Sequence, residues 1–185
     1  MRKATRFSKQ AILFAHQERL EEAKKLLKET DKLFATLTRL TKENPDLFYS
    51  GIVDAAFQEY AEAQIFLGLV EERQLVCPEE LGMSSIDYVL GLADVVGELR
   101  RRALDMLRKG KVKTAEKCLE TMEQIYSELM AMDDAYMLVP GLRRKCDVAR
   151  HVIETTRGDI TIEARRASLE NSIKKLEKTL TKKKN

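Results

Sequence analysis

Apolar residues return at three- and four-residue steps along most of this chain, and that spacing is the strongest constraint on its fold. From Arg2 to about Asn44 the positions Phe7, Ile12, Leu13, Leu20, Ala23, Leu26, Leu27, Leu33, Phe34, Leu37 and Leu40 keep helical periodicity, broken once near Gln17. Only 8 glycines and 3 prolines punctuate 185 residues, which favours long helices over a sheet joined by many turns. The expected class is all-α, and the length suits one domain, residues 1–185, with a core large enough to need no staples.

The punctuation divides the chain further. Asn44-Pro45-Asp46 stops the first helical region, because a residue before proline is pushed out of the α basin. A helix from about Asp46 or Ser50 to Arg73 follows. Cys77-Pro78-Glu79-Glu80 is suited to a short helical turn, ended by Gly82. Ser84, with Asp87 three residues on, resembles a capping box and opens a helix to about Lys109, with Gly110 as its C-terminal cap. A helix over Val112 to about Asp133 carries Ala115, Leu119, Met122, Ile125, Tyr126 and Leu129 on one face. Pro140-Gly141 separates it from Leu142–Arg157, Gly158 ends that helix, and a last, highly charged one spans roughly Ile162 to Leu180.

The bulk properties narrow the function. The formal charge is +3, concentrated in a basic tail of Lys174, Lys175, Lys178 and Lys182 to Lys184. Such a tail is ordinarily a solvated surface, and contact with nucleic acid is the competing reading. Cys77, Cys118 and Cys146 have no zinc-site spacing and read as free thiols in a reducing compartment. The apolar stretch from Gly51 to Val70 is interrupted by Asp54, Glu59 and Glu62, and no signal-peptide core opens the chain, so a cytoplasmic protein without membrane contact is expected.

Two segments depart from the interleaved charge pattern of the rest. Between Gly51 and Val70 the only charged residues are Asp54, Glu59 and Glu62; between Ile86 and Leu99 they are Asp87, Asp94 and Glu98. Helices so apolar belong in the middle of a fold, where an ionised carboxylate without a partner is costly. Glu59 and Glu62 are three apart and Asp94 and Glu98 four apart, so each pair projects from one helix face. If the two helices pack together, four carboxylates converge. A set of hard oxygen ligands without His or Cys suits Mg²⁺ or Mn²⁺, and hence phosphate chemistry. A salt-bridged or solvated face is the plainer explanation, and spacing alone leaves both open.

The same residues resemble a known family. Phe57-Gln58-Glu59-Tyr60-Ala61-Glu62-Ala63 is similar to the QEYxEA motif of Trax proteins in the translin/Trax family. Asp87-Tyr88-Val89-Leu90-Gly91-Leu92-Ala93-Asp94-Val95-Val96-Gly97-Glu98-Leu99 is similar to their DYLLGxADxxGEL motif. Weaker similarity reaches Ser8 to His16 and Leu142 to Glu154, so the resemblance covers about residues 2–158. Translin subunits, the non-catalytic relatives, lack the acids of the first motif, which places this chain with the catalytic, Trax-like kind, of a short archaeal type.

The resemblance implies a seven-helix, α-superhelical protomer in a hollow octamer, with Glu59, Glu62 and Asp94 as catalytic metal-binding carboxylates and Glu98 as a further ligand of Mg²⁺ or Mn²⁺. It implies a metal-dependent endoribonuclease acting on single-stranded or partly single-stranded RNA, as a homo-oligomer or with a translin-type partner subunit. The alternative is a translin-like module that binds RNA or single-stranded DNA without cutting it, and a third reading is a helical scaffold. The loop between the motifs is shorter than in animal Trax, and the first helix lacks some of the basic residues that contact RNA in the family.

Among the remaining candidates, Arg100, Arg101 and Arg102 begin two residues after Glu98, and Arg143, Arg144 and Lys145 open a later helix; both clusters could bind phosphate. A simply charged helix end explains the first as well. His16 and His151 read as structural or surface residues, Tyr60 as a core residue, and Met122, Met130, Met132 and Met137 as packing.

Overall fold

The computed structural model describes residues 1–41, 51–132 and 138–182. They form six helices: α1 (Arg2–His16), α2 (Leu20–Thr41), α3 (Gly51–Val70), α4 (Ser85–Arg108), α5 (Val112–Ala131) and α6 (Leu142–Lys182). The described residues contain no strand, as expected from the period. The expected stop at Asn44-Pro45-Asp46 and the start of the helix before Gly51 lie outside the described residues.

Helix α4 is the hub, packing on α3, α5 and α6, while α1 packs on α2 and α3. Helix α3 and the first part of α4, which hold the two cation-free segments, are therefore neighbours in the middle of the fold. Almost every side of α3 is buried, including Val53, Phe57, Tyr60, Ile65, Phe66 and Leu67. Phe34 of α2 stacks on Phe57 with ring centroids 4.1 Å apart, and each ring removed from water contributes about 1.5–3 kcal/mol. Tyr60 is a core residue, as expected, with its hydroxyl donating to Asp31.

The helix ends follow backbone rules. Ser84 Oγ accepts from the Asp87 N–H at 3.1 Å, the expected N-cap. At the other end of α4, Gly110 has φ +71°; its N–H donates to Leu107 and that of Lys111 to Met106, a Schellman cap. Leu81 N–H donates to the Cys77 carbonyl, closing one helical turn, and Gly82 at φ +63° ends it.

The sequence leaves two other caps hidden. Helices α1 and α3 close with the same bond pattern, but the left-handed residues are Glu18 (φ +62°) and Glu72 (φ +54°). Each holds a conformation that disfavours an L residue by roughly 1–2 kcal/mol.

The last helix corrects the sequence reading. Gly158 does not end a helix: α6 runs unbroken from Leu142 to Lys182. Ile153, Thr156 and Ile160 are all buried along it, so packing on α4 and α5 holds the helix through Gly158 at the modest cost of about 1 kcal/mol for an interior glycine. Six helices are thus described where about seven were expected. Beyond Ile160, Ile162, Leu169, Ile173, Leu176 and Leu180 are exposed. The methionine expectation holds in part: Met122 is buried, but Met130 and Met132 are exposed at the end of α5, and Met137 lies outside the described residues. No helix among the described residues is long and apolar enough to cross a membrane.

Candidate metal centre

The geometry of the site starts at a glycine. At Gly91 of α4 an added Cβ would fall 2.7 Å from the Ala61 Cβ, 2.7 Å from the Gln58 carbonyl oxygen and 3.0 Å from the Glu62 nitrogen. The backbones of α3 and α4 touch there, and no side chain fits between them. Glu62 stands at that contact on α3, and Asp94 follows Gly91 by three residues on α4, about one turn along. The crossing brings the two acidic pairs to one place.

Electrostatics record the convergence. The carboxyl of Glu62 is pushed up to about 8, first by burial and then by the negative charges of Asp94, Glu59 and Glu98; Lys145 acts weakly the other way. The charge of every other member of the expected set therefore reaches Glu62. At neutral pH this group holds its proton, as one of several like charges gathered in a half-buried site must.

The other three acids each meet a basic side chain from outside the two motifs. Lys9 of α1 stands 3.0 Å from Glu59, and hydrogen bonding to that carboxylate raises the lysine above its usual range. His16, at the end of α1, places Nε2 2.6 Å from Glu98. Lys145 of α6 donates to Asp94. Among the described residues no three His, Cys, Asp or Glu side chains stand together as a ready-made metal cage. The donor set nonetheless fits a hard divalent cation: four carboxylates, no thiolate, and a protonated Glu62 that a second positive charge would ionise.

His16, expected as a structural or surface residue, is buried, with its side chain only 4% exposed and its ring 4.7 Å from that of Phe66; its contact with Glu98 is what the sequence reading lacks. Because a carboxylate only accepts, Nε2 carries the hydrogen. The one available signal was spacing: Lys9 and His16 are seven apart, two turns on one face of α1.

The basic candidates separate. Arg100 donates to Thr156 Oγ1 at 2.8 Å and pairs with Asp159 at 3.2 Å, tying α4 to α6. Arg101 is half exposed and 3.8 Å from Glu98. Arg102 buries Nη1, and its charge faces Cys118. Arg143 and Arg144 are exposed at the start of α6, whereas Lys145 turns into the acidic cluster. His151 is exposed, as expected.

Known proteins place this architecture. The chain is 32% identical over 130 residues to an uncharacterised protein of Methanocaldococcus jannaschii; the match takes in 70% of this chain and 58% of that protein, so the chain spans less than two thirds of its relative's length. Among solved structures it resembles AfC3PO, at 34% identity and TM-score 0.78, covering 89% of this chain and 86% of the other. A complex of AfC3PO with duplex RNA matches at 35% identity and TM-score 0.79, covering 89% and 85%. Apo-NeC3PO matches at 26% identity and TM-score 0.76, covering 86% and 83%. The model of the Translin family matches residues 2–182, farther than the motifs alone reach, and so takes in the whole of the long α6. On that match, which spans nearly the whole sequence, the chain belongs to the Translin family.

Proposed function

We propose that this protein is a metal-dependent endoribonuclease of the Trax-like kind, cutting single-stranded or partly single-stranded RNA. The observation that carries this reading is Glu62, half-buried and faced by Glu59, Asp94 and Glu98 at the helix crossing. Four acids drawn together at a cost in stability need a cation to offset them. The relative solved with duplex RNA supports a nucleic-acid ligand.

Glu59, Glu62 and Asp94 would hold Mg²⁺ or Mn²⁺, with Glu98 as the fourth ligand. The chemistry such an ion supplies when bound is polarisation of a phosphodiester oxygen and activation of a water. Around it, His16 fixes the orientation of Glu98 by its 2.6 Å contact. A carboxylate at the edge of the cluster orients the water and takes its proton. A cytoplasmic octamer, of this chain alone or with a translin-type subunit, is the assembly that goes with this reading.

One observation favours the non-catalytic alternative: Lys9, His16 and Lys145 already give three of the four acids partners. Mn²⁺-dependent cleavage of a single-stranded RNA separates the two. Wild type should cut and Glu62→Ala should not, with the helical circular dichroism unchanged. Full activity of Glu62→Ala, or of wild type in EDTA, would sink the nuclease reading.

The basic residues should divide by what they already hold. Arg144→Ala is expected to weaken RNA binding and to reduce the salt slope of the affinity by about one charge. Arg100→Met, which removes the tie to Thr156 and Asp159, should instead cost about 1 kcal/mol of stability and leave RNA affinity within about twofold. Salt-titrated binding and chemical denaturation of the two variants measure this.

A further inference from the structure

Gly97 has no role in the packing of this chain. It lies in the interior of α4, three residues after Asp94 and one before Glu98, and it is exposed. A Cβ there would meet nothing within 4 Å, in contrast to Gly91 on the same helix. Glycine in a helix interior gives up backbone entropy without return, so a bare position at the edge of the acidic cluster points to something outside the chain that comes close to the helix.

The surroundings say what that is. Gly97 borders two cavities. One, of about 430 Å³ between α4 and α6, has an apolar wall including Val148 and Val152 and a rim of Arg144 and Lys145, and Asp94 also lines it. The other, of about 640 Å³ between α1 and α4, is lined by His16, Arg101, Arg108 and Lys109. Arg108 pairs with Asp105 and Lys109 with Glu18, while Arg101 is only loosely held at 3.8 Å from Glu98. Basic side chains thus stand on both sides of a smooth helical saddle that carries Asp94 and Glu98.

We propose that a single RNA strand crosses α4 over Gly97, its backbone against the glycine, with the nucleotides on either side of the cut seated in these two cavities. This rests on the nuclease reading and names the path of its substrate. The apolar wall of the first cavity suits a base, while Arg144 on one side and Arg101 on the other suit the flanking phosphates. The absence of a side chain at position 97 lets the phosphodiester reach the carboxylates one residue and three residues away. A neighbouring copy of the chain on this face is the competing occupant, but it would leave the basic rims beside the acids unused.

The test is a pair of substitutions that do not crowd the fold, Gly97→Ala and Gly97→Leu, in the full chain. Binding of a fluorescein-labelled single-stranded 12-mer RNA is followed by anisotropy in EDTA, cleavage of the same RNA is followed with Mn²⁺, and mass is followed by light scattering. Gly97→Leu should weaken binding about tenfold or more and Gly97→Ala about two- to threefold, with the melting temperature of both at or above wild type. If Gly97→Leu binds and cuts within about twofold of a wild type that is itself active, the strand path is wrong and the nuclease reading stands. A fall in mass with unchanged RNA affinity also overturns it and assigns the face to a neighbouring copy. Wild type that binds, loses binding in Gly97→Leu, and never cuts would keep the path and refute the nuclease; wild type that does not bind RNA refutes both.

Discussion

Glu62→Gln is expected to abolish metal-dependent RNA cleavage and, in metal-free buffer, to make the protein more stable than wild type by about 3 kcal/mol at pH 7. The two effects share one cause. Glu62 sits at about 8 because burial and three neighbouring acids oppose its charge, against an ordinary value of 4.5 in the unfolded chain. A carboxyl raised on folding binds a proton in the native state between those two values, while the unfolded state has already released it. Stability therefore falls as pH rises from about 4.5 to about 8 and levels off above that.

Glutamine keeps the shape and removes the titration, so the variant should lose this slope. Added Mn²⁺ should reverse the order, raising the melting temperature of wild type well beyond that of the variant, because only wild type offers a fourth negative charge. Thermal melts between pH 4 and 9, with and without Mn²⁺, measure the sign. A Glu62→Gln protein that is less stable than wild type at pH 8 without metal would refute the account of Glu62 as a carboxyl whose charge is opposed by burial and by its acidic neighbours.

The second large effect belongs to Gly91. Gly91→Ala should destabilise the fold by about 2 kcal/mol and Gly91→Val by about 4 kcal/mol, although either side chain suits an α-helix better than glycine does. The added Cβ would lie 2.7 Å from a backbone oxygen at Gln58 and 3.0 Å from the backbone nitrogen of Glu62, and backbone cannot swing aside as a flexible side chain can. Helices α3 and α4 must separate or slide, and the acidic pairs they carry separate with them. Loss of stability and loss of cleavage should therefore go together at Gly91, as measured by urea denaturation and by the RNA assay on the same samples. At Gly97, six residues along the same helix and facing open space, alanine should leave the stability equal or slightly higher. Equal tolerance at both positions would show that the crossing does not depend on backbone contact.

Much of the fold was legible in the residues because the information is local. The three- and four-residue apolar period specifies helices, Ser84 with Asp87 specifies a start, and Gly110 specifies an end, each through bonds made within a turn. The acidic pairs were legible for the same reason: Glu59 with Glu62, and Asp94 with Glu98, share a face by helix geometry alone, and the want of any lysine or arginine within Gly51–Val70 and Ile86–Leu99 marked both segments for the interior. Glu18 and Glu72 escaped notice because their left-handed caps carry no glycine. Gly158 misled because an interior glycine is a local stop signal that the packing of Ile153, Thr156 and Ile160 overrides.

What the sequence by itself determined was thus the helical class, most of the helix bounds, and the four carboxylates, two on each of two apolar segments. What only the tertiary structure decided was their company: Lys9 and His16 from α1, Lys145 from α6, and the contact at Gly91 that sets the two pairs facing one another. The physical reason is distance along the chain. Periodicity and capping are settled among residues within a turn of each other, whereas His16 meets Glu98 across 82 positions and Lys145 meets Asp94 across 51, and only the way whole helices pack can bring such groups together.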